Sequence, residues 1–63
     1  MKTGTVKFFN SEKGFGFIKQ DDNGQDIFVH ETGLLGNITQ DDKVEFDVAD
    51  GRKGPNAVNV RRI

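Results

Sequence analysis

The sequence predicts a small all-β domain whose five strands close into a barrel. No apolar pattern of helical period runs for even three turns, whereas β-branched and aromatic residues recur in short runs separated by Gly, Asn and Asp. Five short strands would leave unpaired edges in a chain of 63 residues, and closing the sheet on itself removes those edges. We therefore expect one domain, residues 1–63, folded as an OB-type or SH3-like barrel.

The strands are expected at residues 5–10, 15–20, 26–30, 43–49 and 57–62. Asn23-Gly24 lies between the second and third strands, and this dipeptide is a strong signal for a hairpin between antiparallel neighbours. Residues 31–42 form the long connection, in which Leu34, Leu35 and Ile38 are expected to plug one end of the barrel. Residues 50–55 contain two glycines and the lone proline, which predict a turn that would break any strand placed there.

Composition limits the classes of function that the chain can serve. There is no cysteine and only one histidine, so neither a disulfide framework nor a Cys/His zinc site can form, and no metal or cofactor is expected. The chain has no signal-like apolar run and no stretch of membrane-spanning length, so we expect a cytoplasmic protein without a membrane partner. The net charge is −1, but residues 1–20 carry +3 and residues 51–63 carry +4 against −8 for residues 21–50. Such segregation allows one basic surface and one acidic surface, or simply solvated faces.

Alternation of side chains along the second and third strands predicts an exposed patch of rings. Residues two apart in a strand share a face, so an aliphatic set and an aromatic set must point in opposite directions. The inward set is Ile18, Ile27 and Val29, and the outward set is Phe15, Phe17, Phe28 and His30. A lone phenylalanine is usually a core residue, but burying this whole set would place a histidine in the core and three aliphatic side chains in water. Soluble monomers rarely expose such a patch without a use.

Exposed rings beside positive charge are typical of surfaces that bind single-stranded nucleic acid. Stacking on an aromatic ring contributes about 1–3 kcal/mol per base, whatever the base, and phosphates require nearby cations. Lys7 and Lys13 flank the first two strands, and Lys53 lies in the last turn. Each lysine alone is more often a solvated surface residue, and only their position beside the rings makes them candidates.

Several segments resemble the bacterial cold-shock protein family. Residues 13–18 (KGFGFI) closely match the first ribonucleoprotein motif, and residues 27–30 (IFVH) are similar to the second. In RNA-recognition-motif domains the second motif precedes the first and helices alternate with strands, whereas here it follows across a hairpin. Residues 7–10 (KFFN), 11–14 (SEKG) and 54–57 (GPNA) also resemble the family, so the match spans nearly the whole chain.

The resemblance implies an antiparallel Greek-key barrel of the OB type that binds pyrimidine-rich single-stranded RNA or DNA as a monomer. It also implies an RNA chaperone or a regulator of transcription or translation. Carried over position by position, the binding residues are Lys7, Phe8, Lys13, Phe15, Phe17, Asp26, Phe28, His30, Lys53 and Pro55. Asp26 repels phosphate but can accept hydrogen bonds from base edges. The resemblance leaves Phe9 undecided between the core and the rim.

Three departures from the family affect the expected footprint. Phe8 stands where the family usually has tryptophan, so stacking there should be weaker. Glu31 stands where an aromatic residue is frequent, so one stacking site should be lost. The connection from His30 to Val44 is shorter than in many relatives and has no aromatic residue, which favours a shorter footprint.

Two other classes of function were weighed against nucleic-acid binding. An enzyme is not expected, because there is no cysteine nucleophile, the one histidine has no evident serine partner, and the paired acids 21–22 and 41–42 lie in turns. An SH3-like module that grips proline-rich peptide would also expose aromatic residues on a small barrel. The grooves of such modules favour Trp and Tyr, and this chain has neither.

Overall fold

A computed structural model describes residues 1–51 and 54–63. The strands are β1 Lys2–Asn10, β2 Phe15–Gln20, β3 Asp26–His30, β4 Lys43–Gly51 and β5 Gly54–Arg62, with one 3₁₀ turn at Glu31–Gly33. The predicted bounds of β2 and β3 are confirmed, while β1, β4 and β5 are longer than predicted. The hairpin between β2 and β3 is also confirmed, with Gly24 at a positive φ of 68°.

The strands form a closed barrel in the order β1-β2-β3-β5-β4, which confirms the predicted five-stranded barrel. Four neighbouring pairs are antiparallel, but β3 and β5 are parallel, so the prediction of antiparallel pairing fails at this one junction. The reason is geometric, because strand directions cannot alternate all the way round a ring with an odd number of members. β4 runs against β1, so β5 must run with β1 and therefore with β3.

The core is aliphatic apart from one phenylalanine. The buried apolar residues are Val6, Ile18, Ile27, Val29, Ile38, Val44, Phe46, Ala57 and Val60. The inward face predicted from alternation in β2 and β3 is thus confirmed. Of the six phenylalanines only Phe46 is fully buried, and Phe9 is half-buried and packs against the core.

Two sequence predictions outside β2 and β3 hold only in part. Ile38 is buried and Leu34 is half-buried against the core, but Leu35 is 65% exposed. The backbone N–H of Leu35 donates to Val60 O at 2.8 Å, and Leu34 bridges to Val60, so this segment pairs with β5 as an extended chain and only one leucine can point inward. The turn predicted at residues 50–55 was also expected to break any strand there, but β4 runs to Gly51 and β5 begins at Gly54, with Pro55 opposite Asp50. The centre of that predicted turn, residues 52–53, lies outside the described residues.

Candidate nucleic-acid interface

The outer face of β1, β2 and β3 carries three cross-strand rows of side chains. The rows are Asn10–Phe15–His30, Phe8–Phe17–Phe28 and Thr5–Lys19–Asp26. The inward residues of the same strands fill the core, so this face looks away from the barrel interior. Aromatic rings therefore occupy the middle of the face, with polar and charged side chains at one end.

Four phenylalanine rings make a continuous cluster on this face, which we call the ring platform: Phe8, Phe15, Phe17 and Phe28. The ring centroids lie 5.6 Å apart for Phe8–Phe17, 5.8 Å for Phe17–Phe28, 5.9 Å for Phe15–Phe28 and 6.4 Å for Phe8–Phe15. These separations are typical of attractive aromatic pairs. Phe8 is 39% exposed and the other three are half-buried, because each ring covers part of its neighbours.

A β-bulge in β1 places Phe8 on the ring platform. The register with β2 passes from Val6 opposite Ile18 to Phe8 opposite Phe17, so Lys7 is an extra residue. Without it, alternation from the buried Val6 would turn Phe8 towards the core. The bulge leaves Phe9 on the inner side, opposite Gly16.

Gly16 allows β1 and β2 to approach closely beneath the rings. A Cβ atom at this position would lie 2.3 Å from the carbonyl oxygen of Phe8 and 2.8 Å from the Cα atom of Phe9. Any side chain would therefore force β1 away from β2. The glycine serves packing between the strands, and the space above it is filled by protein and not by a ligand.

His30 extends the ring platform beside Phe15, its cross-strand partner. The backbone N–H of Thr32 donates to Nδ1 of His30 at 3.3 Å, and the Thr32 hydroxyl lies 3.0 Å from the same nitrogen. Because Nδ1 accepts, the neutral imidazole carries its proton on Nε2. The exposed imidazole is thus oriented by Thr32, and Nε2 is left as a hydrogen-bond donor.

Lys7 and Asp26, two of the predicted binding residues, contact each other. The Lys7 ammonium lies 2.9 Å from the Asp26 carboxylate, and the two side chains are 59% and 39% exposed. The bulge frees Lys7 from cross-strand pairing with β2, which lets its side chain reach across to β3. The pair lies at the polar end of the outer face, next to the ring platform.

Two of the remaining predicted residues, Lys13 and Pro55, lie at the edges of this face. Lys13 is exposed in the β1–β2 loop, where the Asn10 side chain accepts its backbone N–H at 3.1 Å. Pro55 is exposed and precedes Asn56, which pairs with Phe28 across the parallel junction. Lys53 lies outside the described residues, so its predicted position beside the rings has no structural counterpart here.

Sequence reasoning missed Lys19, although alternation places it on the same face as Phe15 and Phe17. In the structure it is exposed between Thr5 and Asp26, and no ion pair of Lys19 is found among residues 1–51 and 54–63. It lines a surface hollow of about 550 Å³ together with Lys7 and Asp26. The same two-residue period that selected the rings could have identified it.

Much of the remaining basic charge contacts acidic partners away from the ring platform. In the described part of the chain these pairs are Lys2–Asp22, Lys43–Asp21, Arg61–Glu45 and Arg62–Asp42. Hydrogen bonds from Lys43 and then from Thr3 lower the pKa of Asp21 below its ordinary value. The hydrogen bond from Lys2 lowers the pKa of Asp22 in the same way. In the described residues, part of the charge that is segregated along the chain is therefore neutralised by these pairs.

The described ranges, residues 1–51 and 54–63, contain no group of three or more His, Cys, Asp or Glu side chains that could hold a metal ion. They also contain no helix that is long and apolar enough to span a bilayer.

Comparison with known sequences gives matches over the length of the chain. The family model described as the "'Cold-shock' DNA-binding domain" matches residues 2–63. The major cold shock protein of Micrococcus luteus is 48% identical over 67 aligned positions, covering 100% of both chains. The cold shock-like protein CspC of Buchnera aphidicola is 51% identical over 61 positions, covering 90% of this chain and 88% of its own.

A solved structure supports the same relationship at the level of the fold. The protein described as "drosophila Unr CSD456" superposes with a TM-score of 0.83 at 26% identity. The match covers 98% of this chain and 26% of that one, so this chain spans about a quarter of the solved protein. The closed five-stranded barrel, the family match over residues 2–63 and the full-length relatives agree. The chain belongs to the cold-shock domain family.

Proposed function

We propose that this protein binds single-stranded RNA or DNA, with a preference for pyrimidine-rich strands, by stacking unpaired bases on the ring platform. The main support for this proposal is that β2 and β3 place their aliphatic and aromatic side chains on opposite faces. Their aliphatic residues are buried, while Phe15, Phe17 and Phe28 meet Phe8 in one partly exposed cluster on the outer face. Rings that served the core would not gather on the opposite side from it.

The charges beside the ring platform suit a strand held mainly by stacking. Lys7 and Lys13 border the rings, and the sequence predicts the same of Lys53. If all three lysines neutralised one phosphate each, the log–log dependence of the binding constant on salt would have a slope of about −2, since single strands lose about 0.7 per neutralised phosphate. With Lys7 held by Asp26, only two phosphates are neutralised and the slope should be about −1.4. A slope steeper than about −4 would mean that charge, and not stacking, dominates binding.

Binding is tested by fluorescence anisotropy of a labelled thymine heptamer, since the chain has neither Trp nor Tyr as an intrinsic reporter. The heptamer should bind, and a duplex of the same sequence should bind much more weakly because its bases are already stacked. Phe28→Ala should weaken binding by about 1–3 kcal/mol. Val48→Ala is the matched control, because Val48 is 41% exposed on β4 outside the ring platform. Equal affinity for single strand and duplex would refute stacking.

We infer that a monomer acts as an RNA chaperone, or as a regulator of transcription or translation, by holding strands in unpaired form. A protein that binds only the unpaired state shifts a hairpin equilibrium by mass action. A hairpin RNA with a fluorophore and a quencher at its ends should therefore open as the protein is added, and Phe28→Ala should open it less. If the protein binds the heptamer but does not open the hairpin, the chaperone role is refuted and only the binding role stands.

A further inference from the structure

A groove of about 420 Å³ lies just beyond the His30 end of the ring platform. Its lining includes Phe9, Leu34, Leu35, Ser11, Asn37 and Glu31. The first three form an apolar floor in which Leu35 is 65% exposed, and the others place polar atoms on the rim. Its volume lies within the range of small-ligand sites, and an apolar floor with few polar groups is their usual composition.

The groove lies at the end of β2 and β3, one residue beyond the last cross-strand row of the outer face. Phe15 and His30 form the last cross-strand row, and the backbone N–H of Glu31 then donates to Gly14 O at 2.8 Å. Glu31 thus continues the pairing of β2 and β3 by one residue. A nucleotide strand that leaves the ring platform over Phe15 and His30 reaches the rim of the groove at Glu31.

The carboxylate of Glu31 lies against Gly14 and has no ionic partner among the described residues. A Cβ atom at Gly14 would lie 2.8 Å from Cδ of Glu31, 3.0 Å from Oε2 and 3.1 Å from Oε1, so the carboxylate rests against the bare glycine. Within residues 1–51 and 54–63 no hydrogen bond or ion pair to this carboxylate is found, and Glu31 is exposed. The group can only accept hydrogen bonds, and it presents two oxygens side by side.

Of the nucleobases, guanine alone has two adjacent donors, N1–H and the N2 amino group, on its Watson–Crick edge. Adenine and cytosine place an acceptor next to their amino group, and the N–H of thymine and uracil lies between two carbonyl oxygens. These acceptors would face the carboxylate and be repelled, and a phosphate would be repelled as well. Single-stranded recognition commonly reads this edge of an unstacked base.

We propose that Glu31 selects guanine for the nucleotide that follows the ring platform at its His30 end. The proposal rests on the proposed function and adds one position of base specificity to it. The base lies on the floor of Phe9, Leu34 and Leu35, and its two donors meet the two carboxylate oxygens. Pyrimidines on the rings followed by one guanine would be the preferred ligand.

The test moves a single guanine through every position of a labelled thymine heptamer and measures affinity by anisotropy. One position should show an affinity about tenfold above the all-thymine strand, which is the scale of a bidentate contact to a base. Hypoxanthine at that position, which lacks the N2 amino group, should lose most of the gain, while 7-deazaguanine should keep it. Glu31→Gln should abolish the gain, because its amide offers one acceptor and one donor. Glu12→Gln is the matched control, since Glu12 is exposed in the β1–β2 loop and does not line the groove.

Each outcome bears on the two proposals separately. If the all-thymine heptamer binds the Glu31→Gln variant at least as tightly as the wild type, the ring platform works and the variant is folded. A guanine gain in the wild type that Glu31→Gln removes and Glu12→Gln retains supports the selection. Equal affinity at all positions, or a gain that survives Glu31→Gln, overturns the selection by Glu31. Failure of the all-thymine strand to bind the wild type overturns the proposed function itself.

Discussion

The ion pair between Lys7 and Asp26 should restrain binding, because it occupies a cation that a phosphate would otherwise use. Their charged groups are 2.9 Å apart, and both side chains are more than one third exposed. Exposed pairs of this kind are worth about 0.2–1 kcal/mol. Asp26→Asn keeps the size of the side chain and removes its charge, so the ammonium becomes free to meet a phosphate.

The expected gain in affinity is bounded by the strength of this pair. Releasing about 1 kcal/mol or less gives at most about a fivefold tighter complex with a thymine heptamer at low salt. One additional phosphate contact should make the log–log salt slope more negative by about 0.7. At high salt the gain should vanish, because screening weakens both the ion pair and the phosphate contact. Anisotropy titrations across a salt series measure both quantities.

Asp22→Asn is the matched control, because it breaks the Lys2–Asp22 pair, which also measures 2.9 Å and lies away from the rings. It makes the same change in net charge and should leave the salt slope unchanged. If Asp26→Asn weakens binding at every salt concentration, the carboxylate contacts the bases and does not restrain Lys7. If both variants steepen the slope equally, only net charge matters and the reasoning from this contact is wrong.

Three further predictions concern the ring platform and the stability of the barrel. Phe17→Ala should weaken heptamer binding by about 1–3 kcal/mol with little loss of stability. Ile18 is its buried neighbour, and Ile18→Ala should instead destabilise the fold by about 2–5 kcal/mol in urea unfolding. The reverse pattern would mean that the inner and outer faces are assigned the wrong way round. Gly16→Ala should lower the free energy of unfolding by about 1–3 kcal/mol in the same assay, because its methyl group would overlap a β1 carbonyl oxygen. An unchanged unfolding midpoint would contradict that overlap. The lowered pKa of Asp21 contributes stability that is complete above the ordinary value of 3.8 and is lost as pH falls through the lower folded value. Asp21→Asn should flatten that part of an acid-unfolding profile, and an unaltered profile would show that the hydrogen bond from Lys43 does not matter in solution.

The sequence determined the faces of β2 and β3 because each strand mixes aliphatic and aromatic residues with a period of two. Ile18, Ile27 and Val29 had to share a side, and that side had to be the core in a domain with so few apolar residues. The hairpin at Asn23-Gly24 then fixed the pairing of the two strands. Local chemistry was sufficient here, since alternation and turn preference both act within a few residues.

Alternation of side chains along β1 could not predict the position of Phe8. It depends on the bulge at Lys7, and a bulge arises from how β1 fits between β2 and β4 and not from a local signal in β1. Family resemblance supplied this residue, whereas the physical pattern of the strand did not. The inward placement of Phe9 follows from the same shift.

Contacts between segments that are distant in the chain were decided only by the tertiary structure. The pairing of Leu34 and Leu35 with Val60 turned Leu35 outward, and the ring of five strands made β3 and β5 parallel. The contact of Lys7 with Asp26 and that of Glu31 with Gly14 also arise only when strands are placed side by side. Composition and period determined which residues are buried and which are displayed, because those depend on local geometry and the hydrophobic effect. Which displayed residues touch one another depends on strand order and register, and these follow from closure of the whole barrel.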